Sequence, residues 1–184
     1  GKVIGDASKD YRNSSGYILS GPEYYTLFDG KTGKALDTVD YEYPRGNSLK
    51  STWGDDYGNR VDRFLGTVAY LDGERPSAVS VRGYYTRMTA VAYDVVNDKL
   101  VKRWSFDTGT NSSAPGWGDG NHNCMPADVD NDGKQELVLG STCIDDNGKL
   151  LWCNNQGHGD AMHLGDLLPD REGLELWMCH ENSP

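Results

Sequence analysis

Short apolar runs separated by Gly, Asp and Asn dominate this sequence, and no long stretch carries the i, i+3, i+4, i+7 spacing of an amphipathic helix. Typical runs lie at 24–28, 67–71, 89–93 and 174–178. Their length and the turn-forming residues between them favour strands over helices. The chain also contains 23 glycines, which suit tight turns. We therefore predict an all-β fold with a turn every few residues.

Two kinds of strand–turn–strand unit alternate along the chain. The first has a turn built on Asp, Gly and Lys, at 27–34, 93–100 and 144–150. The second has an acidic loop, at 70–76, 128–133 and 166–173. Asp128 and Asp166 stand 38 positions apart in successive acidic loops. A period near 40 residues is typical of a four-stranded propeller blade. We predict that residues 1–184 form a partial β-propeller of about four blades within a larger ring, with longer loops at 41–61 and 105–122.

Acidic residues outnumber basic ones by 28 to 18, which gives a net charge of −10. Nucleic acids and anionic membranes select basic surfaces, so we expect neither as a partner. No apolar run approaches the roughly 20 residues that span a bilayer. Clustered carboxylates are, however, the hard oxygen ligands that Ca²⁺ prefers. The charge therefore favours a calcium-binding protein.

The cysteine count and the first residues bear on the compartment. An even number of cysteines suits an oxidising compartment, and four of them allow three pairings, among which the sequence does not choose. Some could instead be buried apolar residues. The four are Cys124, Cys143, Cys153 and Cys179. The chain begins Gly-Lys-Val-Ile without a signal peptide, so we expect either a removed signal or an excised piece. We predict a secreted, extracellular protein.

The strongest local motif is DVDNDGKQE at 128–136. Its carboxylates alternate along a tight loop, Gly133 supplies the turn, and the Lys134 carbonyl can add a ligand. Dense oxygen ligands of this kind favour Ca²⁺ over softer ions. The motif is not an EF-hand, because position 12 is Leu139 instead of a bidentate Glu. The alternative is an Asx-rich turn without a metal. The predicted ligands are Asp128, Asp130, Asp132, Lys134 and Glu136.

A looser echo of this loop follows at 166–175. Its carboxylates could bind a second cation, but Pro169 and Arg171 interrupt the spacing. A salt-bridged turn through Arg171 is the alternative. The predicted ligands are Asp166, Asp170 and Glu175.

Successive strands could bring the four histidines and neighbouring carboxylates together. Imidazole suits zinc and carboxylates suit calcium, so the spacing alone does not identify a metal. Each histidine could also be an ordinary hydrogen-bonded structural residue. The group comprises His122, His158, Asp160, His163, His180 and Glu181.

Arginines and aromatic residues concentrate at 59–64 and 81–87. Guanidinium groups bind carboxylates bidentately, and aromatic faces stack on sugar rings, so together they suggest a surface for an acidic polysaccharide. Strand packing, with the arginines neutralised by Asp55, Asp56 and Asp62, is the alternative. The predicted substrate-binding residues are Arg60, Arg63, Arg82, Tyr84 and Arg87.

Motifs in chain order resemble those of the rhamnogalacturonan lyases of polysaccharide lyase family 11. They include FDGKTGKAL at 28–36, YGNRVDRF at 57–64, RGYYTR at 82–87, GNHN at 120–123, DVDNDGKQE at 128–136 and HGD at 158–160. The resemblance implies an eight-bladed propeller with several Ca²⁺ ions and endo-acting β-elimination between galacturonate and rhamnose in pectin. It also implies a calcium ion near the substrate cleft, held by His122, His158, Asp160 and Glu181.

Members of this family are several hundred residues long. The resemblance therefore implies that residues 1–184 are an inner segment of a larger catalytic domain, inactive alone and packed against the remaining blades of the parent chain. Rhamnogalacturonan I is the expected partner, and no residue is assigned as catalytic. Two alternatives stay open: a non-catalytic, integrin-like calcium propeller that binds glycan or protein, and a calcium-stabilised structural piece. An integrin-like module has no reason to carry the histidine group.

Overall fold

The computed structural model describes residues 4–181, which contain twelve strands and two short helices. The all-β prediction is confirmed, apart from the helices inside the predicted loop 41–61. In chain order the elements are β1 (Tyr24–Phe28), β2 (Ala35–Asp40), α1 (Leu49–Trp53), α2 (Gly58–Val61), β3 (Phe64–Ala69), β4 (Ser77–Arg82), β5 (Thr89–Val96), β6 (Lys99–Asp107), β7 (Met125–Ala127), β8 (Glu136–Val138), β9 (Thr142–Ile144), β10 (Leu150–Cys153), β11 (Gly159–Gly165) and β12 (Glu175–His180).

The strands form four antiparallel sheets in which sequence neighbours pair. Sheets β3–β4–β5–β6 and β7–β8–β9–β10 have four strands, whereas β1–β2 and β11–β12 have two. The β5–β6 hairpin shows how sequence specifies these turns. Val96 pairs with Lys99 across a two-residue turn at Asn97 and Asp98, whose φ angles are 51° and 60°. Asn and Asp tolerate this left-handed conformation, which matches the twist of a hairpin.

The predicted β-propeller is wrong. Within residues 4–181 the strands lie in four separate small sheets, none of them closed, and only two of the four reach the four strands of a blade. The physical reason is that the Asp-Gly-Lys turns and acidic loops specify individual hairpins. They do not specify how many hairpins share a sheet or how the sheets are arranged around one another.

The main core lies between the two four-stranded sheets. Val79 and Val81 of β4 are almost fully buried in the same cluster as Leu137, Leu139 and Ile144 from the region of β8 and β9. Burial of such side chains stabilises the fold by about 1.5–3 kcal/mol each. The two sheets therefore share one hydrophobic core.

A hydrogen-bonded joint fixes the same two sheets at one end. The Tyr70 N–H donates to the Gln135 side-chain oxygen over 2.8 Å, and the Gln135 N–H donates to the Tyr70 carbonyl over 3.1 Å. Beside it, Gly73 has a φ of 75°, and a Cβ placed there would lie 2.6 Å from the Gly133 carbonyl oxygen. The acidic loops 70–76 and 128–133 therefore touch at this joint.

All four cysteines are free thiols. Cys124 and Cys143 are buried, and burial raises the pKa of Cys124 to about 11. The Cys153 thiol is half-buried and donates to the Asp119 carboxylate over 2.8 Å. These contacts favour the reading of the cysteines as packing residues over the disulfide alternative. Among residues 4–181 no helix is long and apolar enough to cross a membrane.

Candidate metal centres and binding groove

The structure brings His122, His158 and Asp160 together. A parallel bridge between Asn121 and Gly159 places the two histidine segments side by side. One ligand-type atom from each of the three side chains lies within 4.8 Å of the others. The two Nε2 atoms are 3.1 Å apart, and His122 Nδ1 is 3.6 Å from Asp160. The spacing of the three groups suits a single cation.

Backbone contacts set the protonation of His158. Its Nδ1 lies 2.7 Å from the Gly120 carbonyl oxygen, which can only accept, so Nδ1 carries the proton and Nε2 presents a lone pair. Burial lowers the pKa of His158, and the ring is therefore neutral near pH 7. A neutral imidazole with its second nitrogen held by a carbonyl is the usual form of a metal-ligating histidine.

The predicted fourth ligand, Glu181, lies beside this group. Its backbone N–H donates to the His158 carbonyl over 3.3 Å, and its exposed side chain lines the same groove as His158. His163 lies away from the group, with its ring 5.8 Å from that of Trp177 between β11 and β12. Metal binding by His122, His158, Asp160 and Glu181 stays a prediction.

A wall of arginine and tyrosine faces the histidines. Arg63 donates to the Tyr85 hydroxyl over 2.8 Å, and that hydroxyl lies 2.7 Å from His122 Nε2. Arg60 covers the Tyr85 ring at 5.0 Å. A groove of about 640 Å³ runs along this wall and is lined by Asp55, Arg60, Tyr85, Trp117, His158 and Glu181, among others. The groove thus combines one arginine, aromatic surface and candidate metal ligands, and Arg60 is 3.4 Å from the Asp55 carboxylate.

Tyr85 is a groove residue that was missing from the predicted substrate-binding set. The RGYYTR segment supplies two adjacent tyrosines, and alternation along the chain points them to different environments. Tyr84 is buried at 2% exposure and packs in the main core. The predicted role of Tyr84 in substrate binding is therefore corrected in favour of Tyr85, since only the half-buried ring reaches the groove.

The predicted substrate-binding role of Arg82 is also wrong. Arg82 is fully buried and pairs with Glu23 at 2.9 Å and Asp62 at 2.7 Å. Arg87 is half-buried and pairs with Asp107 at 2.6 Å while covering the Trp53 ring. Both guanidinium groups are committed to packing, which is the alternative weighed from sequence. Arg60 and Arg63 remain as the candidate substrate contacts.

The Asp128–Glu136 loop forms a second candidate metal centre. Asp128, Asp130 and Glu136 each offer an oxygen within 4.8 Å of the others. Asp132 instead pairs with the Lys134 ammonium at 2.9 Å. The Asp128 carboxylate accepts the N–H groups of Asp132 and Gly133, which shapes the turn. The structure thus gathers three of the four predicted carboxylates, while ligation by Asp132 and by the Lys134 carbonyl stays a prediction.

The environment of Glu136 shows that a cation fits this centre. Its side chain is fully buried, one carboxylate oxygen accepts the Val129 N–H over 2.7 Å, and the other has no hydrogen-bond partner. Burial, and secondarily the nearby Asp130, Asp132 and Asp128 charges, raise the pKa of Glu136 to about 7. An unpaired buried carboxylate oxygen is costly. An all-oxygen donor set around it fits a hard cation such as Ca²⁺.

The structure does not gather the three predicted carboxylates at Asp166, Asp170 and Glu175. The two aspartates are exposed, and none of the three belongs to a metal-sized group in the described part of the chain. Glu175 instead accepts the N–H groups of Leu167 and Leu168, at 3.0 and 2.9 Å. These two hydrogen bonds close the loop. The alternative salt bridge through Arg171 is likewise absent from residues 4–181.

Fold and groove together define an all-β domain with a candidate cation centre beside an arginine–tyrosine wall. The chain belongs to rhamnogalacturonan lyase family 11: the family's C-terminal domain matches residues 1–184. It is 55% identical over 183 residues to the rhamnogalacturonan exolyase YesX of Bacillus subtilis (strain 168), covering 100% of the chain and 30% of that protein. It is 53% identical over 182 residues to the rhamnogalacturonan endolyase YesW of the same organism, covering 99% of the chain and 29% of that protein.

Solved structures agree with this assignment. The crystal structure of the exolyase YesX superposes with a TM-score of 0.93 at 55% identity, over 99% of the chain and 30% of that structure. A Bacillus licheniformis rhamnogalacturonan lyase superposes with a TM-score of 0.90 at 57% identity, over 99% of the chain and 31% of that structure. The chain therefore spans about 30% of the length of these relatives.

Proposed function

We propose that residues 1–184 form part of a calcium-dependent rhamnogalacturonan lyase and line its substrate cleft. The observation that carries the proposal is that the cluster of His122, His158 and Asp160 contacts the Arg63–Tyr85 pair. His158 and Tyr85 line one groove. The substrate class comes from the relatives, whose names specify rhamnogalacturonan. Secretion belongs to the same proposal, because pectic polymers are extracellular.

The reaction proposed is β-elimination in the galacturonate–rhamnose backbone. A base removes the C5 proton of galacturonate, a C4–C5 double bond forms as the C4–O bond to the leaving sugar breaks, and the leaving oxygen takes up a proton. The C5 proton is only weakly acidic, so negative charge that develops on the adjacent carboxylate must be stabilised. A bound Ca²⁺ would supply that stabilisation as a Lewis acid.

The chain's own residues would bind and orient the polymer. Arg60 is exposed at the groove and Arg63 is half-buried behind Tyr85, so their guanidinium groups can donate hydrogen bonds to uronate carboxylates and offset the net charge of −10. The Tyr85 ring offers a flat face between them. No residue in the groove is assigned as the base.

The mode of cleavage, predicted as endo, is open to direct test. Identities of 55% to an exolyase and 53% to an endolyase favour neither mode. Size analysis of early products separates them, since an endolyase shortens the polymer throughout and an exolyase releases small fragments from the start. The endo prediction requires a rapid fall in polymer size at low conversion.

The decisive experiment uses the longest natural chain that contains these 184 residues, called here the parent chain. Asp160→Ala should lower kcat/KM for rhamnogalacturonan by about 10²-fold or more, since it removes an electrostatic ligand of the stabilising cation. Asp170→Ala changes an exposed aspartate outside the groove and is the matched control. The unsaturated product is followed by its ultraviolet absorbance. Equal kcat/KM for Asp160→Ala and wild type, at limiting and saturating calcium, would refute the proposal.

A further inference from the structure

We propose that Glu136, Asp145 and Asp146 form a second divalent-cation position, so that Glu136 bridges two calcium ions: one on the Asp128 loop and one on the β9–β10 hairpin. The inference rests on the calcium part of the proposed function. It adds a site that the loop motif does not contain, because Asp145 and Asp146 come from a different turn. Each of the three side chains offers an oxygen, and these atoms lie within 4.8 Å of one another.

Strand pairing explains why the two turns meet. Leu137 of β8 pairs with Ile144 of β9 in antiparallel register. The next position along each strand brings Glu136 beside Asp145. The hairpin then closes through the Asp145 N–H, which donates to the Lys149 carbonyl over 2.8 Å. The carboxylates therefore converge because of the sheet register.

A second observation, the unpaired oxygen of Glu136, also points to a bound cation. It is fully buried, and one of its carboxylate oxygens has no hydrogen-bond partner. Buried polar groups are nearly always satisfied, and an unpaired carboxylate is among the most costly to bury. The same carboxylate belongs to both oxygen groups, with Asp128 and Asp130 on one side and Asp145 and Asp146 on the other.

Charge balance favours two ions over one. The two oxygen groups and the loop between them contain six carboxylates and one ammonium, which gives a formal charge of −5, from Asp128, Asp130, Asp132, Glu136, Asp145 and Asp146 against Lys134. The ammonium is already shared between Asp132 at 2.9 Å and Asp146 at 3.2 Å. One divalent ion would leave a charge of −3, whereas two leave −1.

The donor set selects the ion. All the side-chain donors are carboxylate oxygens, and no histidine or cysteine belongs to either described group. Hard oxygen ligands favour Ca²⁺ over Zn²⁺ or copper. Ca²⁺ also tolerates irregular coordination, which suits a position assembled from a strand and a turn.

Counting bound calcium tests the inference. The metal-depleted parent chain is dialysed to equilibrium against calcium, and bound ions per chain are compared between wild type and the double variant Asp145→Asn/Asp146→Asn. The variant should bind one ion fewer. Asp29→Asn is the control, because the Asp29 N–H closes a similar turn to the Lys34 carbonyl at 2.8 Å and Asp29 belongs to no described metal-sized group. An equal count in variant and wild type overturns the inference.

A crystal of the wild-type parent chain removes any dependence on the variant's folding. Soaked in calcium, it should show two density peaks beside Glu136, each with oxygens at 2.3–2.6 Å. A peak only between Asp128, Asp130 and Glu136 overturns the second position. The outcomes separate this inference from the proposed function: loss of lyase activity in Asp160→Ala tests the groove, and the calcium count at Asp145 and Asp146 tests the hairpin.

Discussion

Arg82 Nη2 donates to Asp62 Oδ1 over 2.7 Å from a fully buried position. The other guanidinium nitrogens donate to the carbonyls of Val61 and Tyr43, both over 2.9 Å. Aromatic rings of Trp53 and Phe64 cover the group at 4.9 and 4.8 Å. This arginine therefore ties β4 to the segments before it.

We expect Arg82→Met to destabilise the fold by about 3–5 kcal/mol, because it leaves two half-buried carboxylates, Glu23 and Asp62, and two backbone carbonyls without their donor. Arg75→Met is the control. Arg75 also pairs with an aspartate, Asp72, but its side chain is 69% exposed. An exposed pair contributes about 0–1 kcal/mol. Urea unfolding of both variants measures the difference, and similar midpoints would contradict the structural role given to Arg82.

The pH dependence of the calcium-free protein should report on Glu136. Burial raises the pKa of Glu136 from 4.5 to about 7 in the folded chain. The folded state therefore holds the proton more tightly than the unfolded state. The resulting stabilisation is present below pH 4.5 and is lost as the pH rises through about 7.

Glu136→Gln cannot ionise, so in chelator its melting temperature should change less between pH 4.5 and 7 than that of wild type. Excess calcium should reverse the wild-type trend, because the cation stabilises the ionised carboxylate. Glu172→Gln, at an exposed position, is the control and should follow wild type. A pH dependence unchanged by Glu136→Gln would show that another group titrates.

Tyr85→Phe should weaken calcium binding at the histidine group by about 10–100-fold, as expected for loss of a contact that orients a metal ligand. The change removes the hydroxyl that links Arg63 to His122 and leaves the ring in place. Tyr25→Phe is the control, because Tyr25 stacks on Tyr93 away from the groove. Calorimetric calcium titration of the parent chain measures the effect, and equal affinity in the two variants would exclude this orienting role.

Gly73→Ala should destabilise the chain by more than Gly109→Ala does. Both glycines have positive φ, at 75° and 70°, so each substitution carries backbone strain of about 1–2 kcal/mol. Only at Gly73 would the new Cβ also meet a backbone atom, the Gly133 carbonyl oxygen at 2.6 Å, whereas at Gly109 nothing lies within 4 Å. The difference in unfolding free energy between the Gly73→Ala and Gly109→Ala variants measures the cost of disturbing the contact between the two acidic loops. Equal losses would mean that the loops separate without cost.

Sequence predicted local features well and long-range arrangement poorly. Asn97 and Asp98 specify a hairpin turn through their own tolerance of positive φ, so the turn is visible in the chain. The convergence of His122 with His158 was anticipated from strand-end positions and motif resemblance. The arrangement of the sheets, by contrast, depends on packing between faces, and no turn motif encodes it.

The same limit explains the errors at single residues. Arg82 and Arg60 look alike in the sequence, yet one is fully buried between aromatic rings and the other is exposed at the groove. The sequence predicts Asp145 only as a turn residue, because its proximity to Glu136 comes from the pairing of β8 with β9. Burial and register are properties of the folded chain, and composition or spacing along a single strand does not report them.

The reciprocal hydrogen bonds between Tyr70 and Gln135 also have a consequence for local opening. Gln135 lies next to Glu136, so the joint between the four-stranded sheets is one residue from the buried carboxylate. Backbone amides of β3 and β8 should then exchange with deuterium as one cooperative unit, and chelation of calcium should speed both together. The ion would thereby set how often the two sheets of this domain separate, although its ligands belong to only one of them.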